Sequence, residues 1–185
     1  MAQTAPKLTY DDLVLFPDDG KRHEIINGEH YVSPSPNVRH QRVLRRLSLL
    51  LHHFVEANRL GEVFFAPLDV VFSIHDVVQP DFIFVSNARA SILTAANLQG
   101  SPDLVVEVLS PSNRRYDEDR KRGLYERAEV GEYWIVDPEA DTVKVYRREG
   151  EQLGRPVLFS ARDGDRLTSP LFPGLEIALP DVLAE

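Results

Sequence analysis

Two carboxylates stand alone in apolar, strand-like stretches of this chain. Asp81 lies in Val78-Gln79-Pro80-Asp81-Phe82-Ile83-Phe84-Val85, and Glu107 in Pro102-Asp103-Leu104-Val105-Val106-Glu107-Val108-Leu109. An unpaired carboxylate among valines is costly, so it must shift its pKa or find a cation. Two of them on successive strands suggest one shared divalent ion, and Lys121 follows on the next helical segment. Acid, acid and lysine, in that order, are the parts needed to hold a metal against a phosphodiester and to steady the charge that develops as it is hydrolysed. Strand alternation puts Asp103, Val105, Glu107 and Leu109 on one face and Leu104, Val106 and Val108 on the other, so Glu107 points to one defined side. The plainer alternatives are a strand-start cap for Asp81 and Asp103, and a solvated charge for Lys121 within Arg120-Lys121-Arg122.

The elements that must position these residues can be read from spacing. Asn27-Gly28 between two short strands, 23–26 and 29–32, is the dipeptide of a type I′ hairpin turn. After the prolines at 34 and 36, Val43, Leu44, Leu47, Leu50, Leu51 and Phe54 recur on one face, which predicts a helix over 38–58 closed by Gly61. Strands are expected at 62–72, 78–85 and 103–109, a helix at 116–129 with Asp117, Glu118 and Asp119 at its dipole-favoured start, and strands at 132–136 and 142–146. From Gly150 the chain reads as a looser appendage with a strand at 156–159 and an apolar closing segment, 171–183. The order helix, three strands, helix, strand gives one α/β domain over 1–185, divided into an N-terminal hairpin extension (1–37), a core (38–148) and a C-terminal β appendage (149–185).

Composition narrows the chemistry. With 43% hydrophobic and 27% charged residues over 185 positions, the chain has an ordinary globular make-up. Its cysteine count is zero, so a metal must be held by oxygen or imidazole, which suits Mg²⁺ or Mn²⁺. A formal net charge of −8 argues against a general nucleic-acid coat protein, leaving any nucleic-acid contact to local basic clusters. Arg39, Arg42 and Arg46, with Arg45 nearby, form one modest ridge on the long helix, and Arg114, Arg115, Arg120 and Arg122 surround Lys121. The first residues lack the apolar stretch of a signal peptide and no run approaches roughly 20 apolar residues, so a cytoplasmic location without membrane contact is expected.

Val78-Gln79-Pro80-Asp81, the run from Pro102 to Ser112, then Lys121 with Tyr125, and Glu132-Tyr133-Trp134-Ile135-Val136-Asp137-Pro138 together resemble the Uma family, assigned to the PD-(D/E)XK restriction-endonuclease-like superfamily of nucleases. The likeness spans roughly 8–180 and includes Glu24-Ile25-Ile26-Asn27-Gly28-Glu29. It implies a restriction-endonuclease-like core, an α-β-β-β-α-β mixed sheet flanked by helices. It also implies Asp81 and Glu107 as metal ligands with the Val108 carbonyl as a third oxygen, and Lys121 as the catalytic lysine. Glu24 and His40 match recurrent polar positions of that family and are secondary candidates. The superfamily pattern puts its lysine two residues after the second acid, where this chain has Leu109; Lys121 would have to reach back from the helix, with Tyr125 one turn on along the same face.

Three functional readings follow: a Mg²⁺- or Mn²⁺-dependent nuclease acting on DNA; a catalytically inactive module of the same fold that binds nucleic acid or protein; and a regulatory or toxin-like partner working through an oligomer. The last rests on the apolar segment 171–183, which could pack against a second subunit as a homodimer.

Overall fold

A computed structural model describes residues 6–33, 35–110, 114 and 116–184. Helix α1 (Tyr10–Leu13) starts at Thr9, whose hydroxyl accepts from the Asp12 amide while the Asp12 carboxylate accepts from the Thr9 amide. Strands β1 (Arg22–Ile26) and β2 (Glu29–Ser33) form the hairpin, with Asn27 and Gly28 at φ of 55° and 77° as a type I′ turn requires. Helix α2 (Val38–Asn58) is capped by the Asn37 side chain, which accepts from the His40 amide, and buries Val43, Leu47, Leu51 and Val55. Its end differs from expectation: Arg59 takes the left-handed position, φ 53°. Gly61 serves the strand instead, since a Cβ there would lie 2.1 Å from the Val85 carbonyl oxygen.

Then come β3 (Gly61–Phe65), β4 (Val70–Ser73), β5 (Asp76–Val78), β6 (Phe82–Ser86), β7 (Leu98–Gln99) and β8 (Leu104–Val108). A π-helical turn over Tyr116–Lys121 runs into α3 (Arg122–Arg127), followed by β9 (Glu132–Asp137), β10 (Thr142–Glu149), β11 (Gln152–Leu153), β12 (Val157–Ser160), β13 (Arg166–Leu167), β14 (Ile177–Ala178) and α4 (Leu179–Leu183).

The central sheet has the order β11-β10-β9-β8-β6-β3, with β12 also on β10. Strands β3, β6 and β8 pair antiparallel, and β8 runs parallel to β9 through the crossover made by the π-helical turn and α3. The sequence α2-β3-β6-β8-α3-β9 is therefore the expected α-β-β-β-α-β core. A second sheet, β2-β1-β5-β4-β7, lies beside it. Every residue of β8 is buried, as suits a strand covered on both faces: Leu104, Val106 and Val108 pack on the α2 side, and Val105 with Ile83 packs on the side of Tyr125 and Tyr133.

Two expected strands are broken. The 62–72 and 78–85 runs each split between the two sheets, at segments holding Pro67 and Pro80, because proline has no N–H to continue a ladder. Asp81 therefore sits at a crossing point between sheets, immediately before β6, and not inside a strand.

The stretch from Gly150 corrects the sequence reading more strongly. Leu167, Phe172, Ile177, Leu179, Val182 and Leu183 are all buried in the core that α2 covers. The Phe172 ring meets Phe54, Phe84 and Trp134. Arg39 donates to the Leu183 carbonyl at 2.5 Å and Arg46 to that of Val182 at 3.3 Å, clamping α4 to α2. This apolar tail is used up within the chain and gives no argument for a second subunit. We expect Phe172→Ala to cost about 3–5 kcal/mol in urea unfolding; a loss below 1 kcal/mol would mean that the closing segment is dispensable to the core.

Candidate active site

The pairing of β6 with β8 sets the site. Phe82 lies opposite Val106 and Ile83 opposite Val105, so one step outward the chain places Asp81 opposite Glu107, at the end of the ladder. Residues directly opposed across an antiparallel pair share a face. Both acids line one small cavity of about 20 Å³, room for about one water or ion, together with Arg22, His40, Val108, Asp117 and Lys121.

Asp81 is held on every side. Its Oδ1 accepts from Arg22 at 2.7 Å, and its Oδ2 lies 3.0 Å from His40 Nε2 and accepts from the Val108 amide at 2.9 Å. Burial alone would raise its pKa, but the His40 bond, the charges of His40 and Arg22 and the Val108 amide outweigh it and lower the carboxyl to about 2. Asp81 is thus a fixed anion. His40 sits at the start of α2, where the Asn37 cap fixes its backbone, and its Nδ1 is buried without a hydrogen-bond partner among the described residues.

Glu107 is held through one oxygen. Its Oε1 accepts from Lys121 Nζ at 2.8 Å and from the Tyr125 hydroxyl at 2.7 Å. Lys121 Nζ is also 2.9 Å from Glu24 Oε1 and 3.8 Å from Asp117 Oδ1. Glu24 in turn accepts from the Gln79 amide at 2.8 Å and the Tyr116 hydroxyl at 3.1 Å. The π-helical turn makes this possible, bringing Asp117 and Lys121 to the acids and leaving Tyr125 to follow from α3.

Among the described residues, four carboxylates here face two permanent cations, Arg22 and Lys121. Burial raises the Glu107 carboxyl, Lys121 pulls it back, and the charges of Asp81 and Glu24 raise it again, to about 7. Burial and the same neighbours hold Asp117 well above the usual carboxylate range despite Lys121. Burial would lower the Lys121 ammonium, yet Glu107, Glu24 and Asp117 keep it well above its ordinary value. The pocket is short of fixed positive charge, and the raised carboxyls of Glu107 and Asp117 reflect that shortage.

A hard divalent ion fits that deficit and donor set. Among the described residues no group of three or more His, Asp and Glu side chains stands ready as a ligand shell. Mg²⁺ does not need one, since it usually keeps several waters and takes one or two carboxylates. Asp81 and Glu107 line one cavity together with Asp117, and the bonds from Lys121 and Tyr125 to Glu107 both fall on Oε1.

The structure brings together Asp81, Glu107, Lys121, Glu24, His40, Tyr125 and Val108, the last through its amide on Asp81. It adds two residues that the sequence reading passes over. Asp117 carries a signal in its i,i+4 spacing from Lys121, hidden by its position where a helix dipole already favours acids. Arg22 shares the β1 face with Glu24, two residues on. The basic residues do not assemble. Arg39 and Arg46 hold α4, Arg114 is committed to Asp137 at 2.6 Å and Glu139 at 3.7 Å, Arg42 is exposed away from the pocket lining, and Arg115 lies outside the described residues. Asp103 serves as a tie, accepting from the Ser86 amide at 2.7 Å.

Comparison with known proteins places this geometry. Residues 9–180 match the model of a family described as "Uma2: Putative restriction endonuclease". No curated protein matches the chain. Among solved structures, a protein from Anabaena variabilis ATCC 29413, described as a putative nuclease belonging to DUF820, superposes with a TM-score of 0.80 at 20% identity, over 96% of this chain and 98% of that one. At that identity the likeness is one of fold.

The raised carboxyls set a pH dependence. Glu107 binds its proton more tightly folded than unfolded, so this contribution to stability is complete below about pH 4.5 and is lost as pH rises through about 7. Asp81 works in the opposite sense, below its ordinary range, and leaves this window untouched. In EDTA the melting temperature should fall across this interval, by an amount equivalent to a few kcal/mol, and Glu107→Gln should flatten the curve. A wild-type profile that is level or rising there would contradict the charge balance described.

Proposed function

The chain belongs to the Uma2 family, and from the balance of charge in its buried pocket we propose that it is a metal-dependent nuclease, hydrolysing phosphodiester bonds in DNA with Mg²⁺ or Mn²⁺. The observation that carries this reading is the excess of buried carboxylate: Asp81, Glu107, Glu24 and Asp117 against Arg22 and Lys121. With all four ionised, these carboxylates exceed those two fixed cations by two charges, the charge of one divalent ion. Burying that many acids without such a counter-ion is expensive, so the pocket is better explained as a place for cations and phosphate than as a device for stability.

Asp81 and Glu107 would hold the ion. When bound, it supplies Lewis-acid polarisation of the phosphate and activation of a water. The remaining work falls to this chain's side chains. His40, Arg22 and the Val108 amide keep Asp81 ionised and fixed in direction. Tyr125 fixes Glu107, and Glu24 with Asp117 keeps Lys121 charged and aimed at the cavity. The Lys121 ammonium then opposes the negative charge that grows on the phosphoryl oxygens in the transition state; it acts by position and charge and gives up no proton.

One feature favours the second reading, a module that keeps the fold without the chemistry: Arg22 already bonds the Asp81 oxygen that an ion would approach. Mn²⁺ calorimetry separates the two. A site on the wild type that disappears in Glu107→Ala supports the nuclease, whereas no site together with retained DNA binding supports the module.

For the enzyme itself, incubation of single- and double-stranded DNA with Mg²⁺ or Mn²⁺ should yield cleavage that Glu107→Ala reduces by about 100-fold or more, and that Lys121→Met reduces by about 10²–10³. Absence of cleavage on every substrate, or an undiminished rate in Glu107→Ala, would remove the assignment. Lys121→Met should also cost about 3–5 kcal/mol, because it leaves Glu107 and Glu24 buried without their cation.

A further inference from the structure

A groove of about 420 Å³ runs along α2 beside the acid pocket, and Arg22 lines both. One wall is a stripe of α2, Gln41, Leu44, Arg45 and Leu49, next to the stripe that the helix buries in the core. The other is the end of β3, where Phe65 stands 44% exposed. Its ring is not loose: it meets Phe82 edge-on at 5.6 Å, so one position of an aromatic face is maintained.

Three properties say what this groove accepts. Its lining holds two arginines and no acidic residue, whereas the cavity against Arg39 includes Glu139 and Asp141, and that against Phe72 includes Asp76 and Glu129. Arg22 is paired with Asp81, so on a chain of net charge −8 Arg45 is the groove cation left to meet a phosphate. Its floor is apolar, with an aromatic ring and two leucines, as a base-stacking platform requires. Two of its polar side chains, Ser48 and His52, each keep a buried atom, Oγ and Nδ1, without a hydrogen-bond partner among the described residues.

We propose that this groove is a nucleotide subsite: it takes one unpaired nucleotide next to the phosphate under attack, with its base against Phe65 and its phosphate against Arg45. The inference rests on the nuclease reading and adds to it a substrate class, single-stranded nucleic acid or the unpaired end of a duplex. A base inside a duplex is stacked on both faces and cannot present one to Phe65. Arg22 is the link, since the guanidinium that bonds Asp81 at 2.7 Å stands between acid pocket and groove.

The test uses the full chain carrying Glu107→Gln, so that binding is measured without turnover, and a fluorescein-labelled oligothymidylate read by anisotropy. Adding Phe65→Ala should weaken binding about 5- to 100-fold, the range for loss of one base–aromatic stack, and Arg45→Glu should weaken it further with a shallower salt dependence. Phe65 is an exposed side chain, and melting curves confirm that each variant is folded. In parallel, wild-type chain and Phe65→Ala are compared in Mg²⁺-dependent cleavage of single-stranded and duplex DNA; the single strand should be preferred and Phe65→Ala should raise KM with little change in kcat. Cleavage that persists with Phe65→Ala unaltered in both assays overturns the subsite and leaves the nuclease standing. No cleavage by any form, with oligonucleotide binding still lost in Phe65→Ala, removes the nuclease and keeps the subsite. A dimer in light scattering that Phe65→Asp converts to monomer, without effect on oligonucleotide binding, assigns the groove to a second copy of the chain and overturns the proposal.

Discussion

A single ammonium group, Lys121 Nζ, is shared by Glu107, Glu24 and Asp117 in a place almost closed to water. Each of those acids comes from a different part of the fold: the middle of the central sheet, the N-terminal hairpin, and the turn that carries the lysine itself. Removing water from such a cluster makes its mutual attractions and repulsions far stronger than on a surface, so the arrangement is tolerable only if all four groups are held in register. The hairpin and second sheet are therefore more than an extension. They bring Glu24 and Arg22 to the acids of the central sheet, and the π-helical turn is the local irregularity that lets one helix deliver both Asp117 and Lys121.

How much of this is legible in the sequence depends on whether the signal is periodic. Helix α2 spans the 38–58 expected from its apolar repeat, and the hairpin follows from Asn27-Gly28, because both are local patterns with local causes. The strands broken at Pro67 and Pro80 are different. Apolar residues continue across 62–72 and 78–85, so each run reads as one strand, and nothing in the hydropathy marks where the chain changes sheets. Of the site, the two isolated carboxylates are visible because they interrupt apolar runs. Arg22 is not visible, since an arginine near a strand start carries no mark of the long-range partner it has, fifty-nine positions away.

The arginines show the same limit from the other side. Arg39, Arg42 and Arg46 lie along one helix and invite a reading as a nucleic-acid ridge. In the fold, Arg39 and Arg46 spend their donors on carbonyl oxygens of α4, which closes the core. Guanidinium groups are good helix-end partners because they satisfy several orphan carbonyls at once. Charge on a helical wheel says nothing about that alternative; only the position of the C-terminal segment does.

The displaced lysine follows from the same geometry. On β8, residue 109 shares the face of Glu107, so a lysine there would project to the acids directly from the strand. Here Leu109 occupies that position and joins the core with Val105, Leu124 and Tyr125, which lets α3 pack closely over this face of the sheet. With the turn before α3 over this face, the Lys121 ammonium lies 2.8 Å from Glu107 Oε1 and arrives from above the sheet in place of along the strand. Stabilisation of a developing charge depends on where the cation stands and how dry its surroundings are, not on which element carries it. A leucine on the strand and a lysine on the turn are thus one solution to a single constraint, the first making room in the core for the helix that delivers the second.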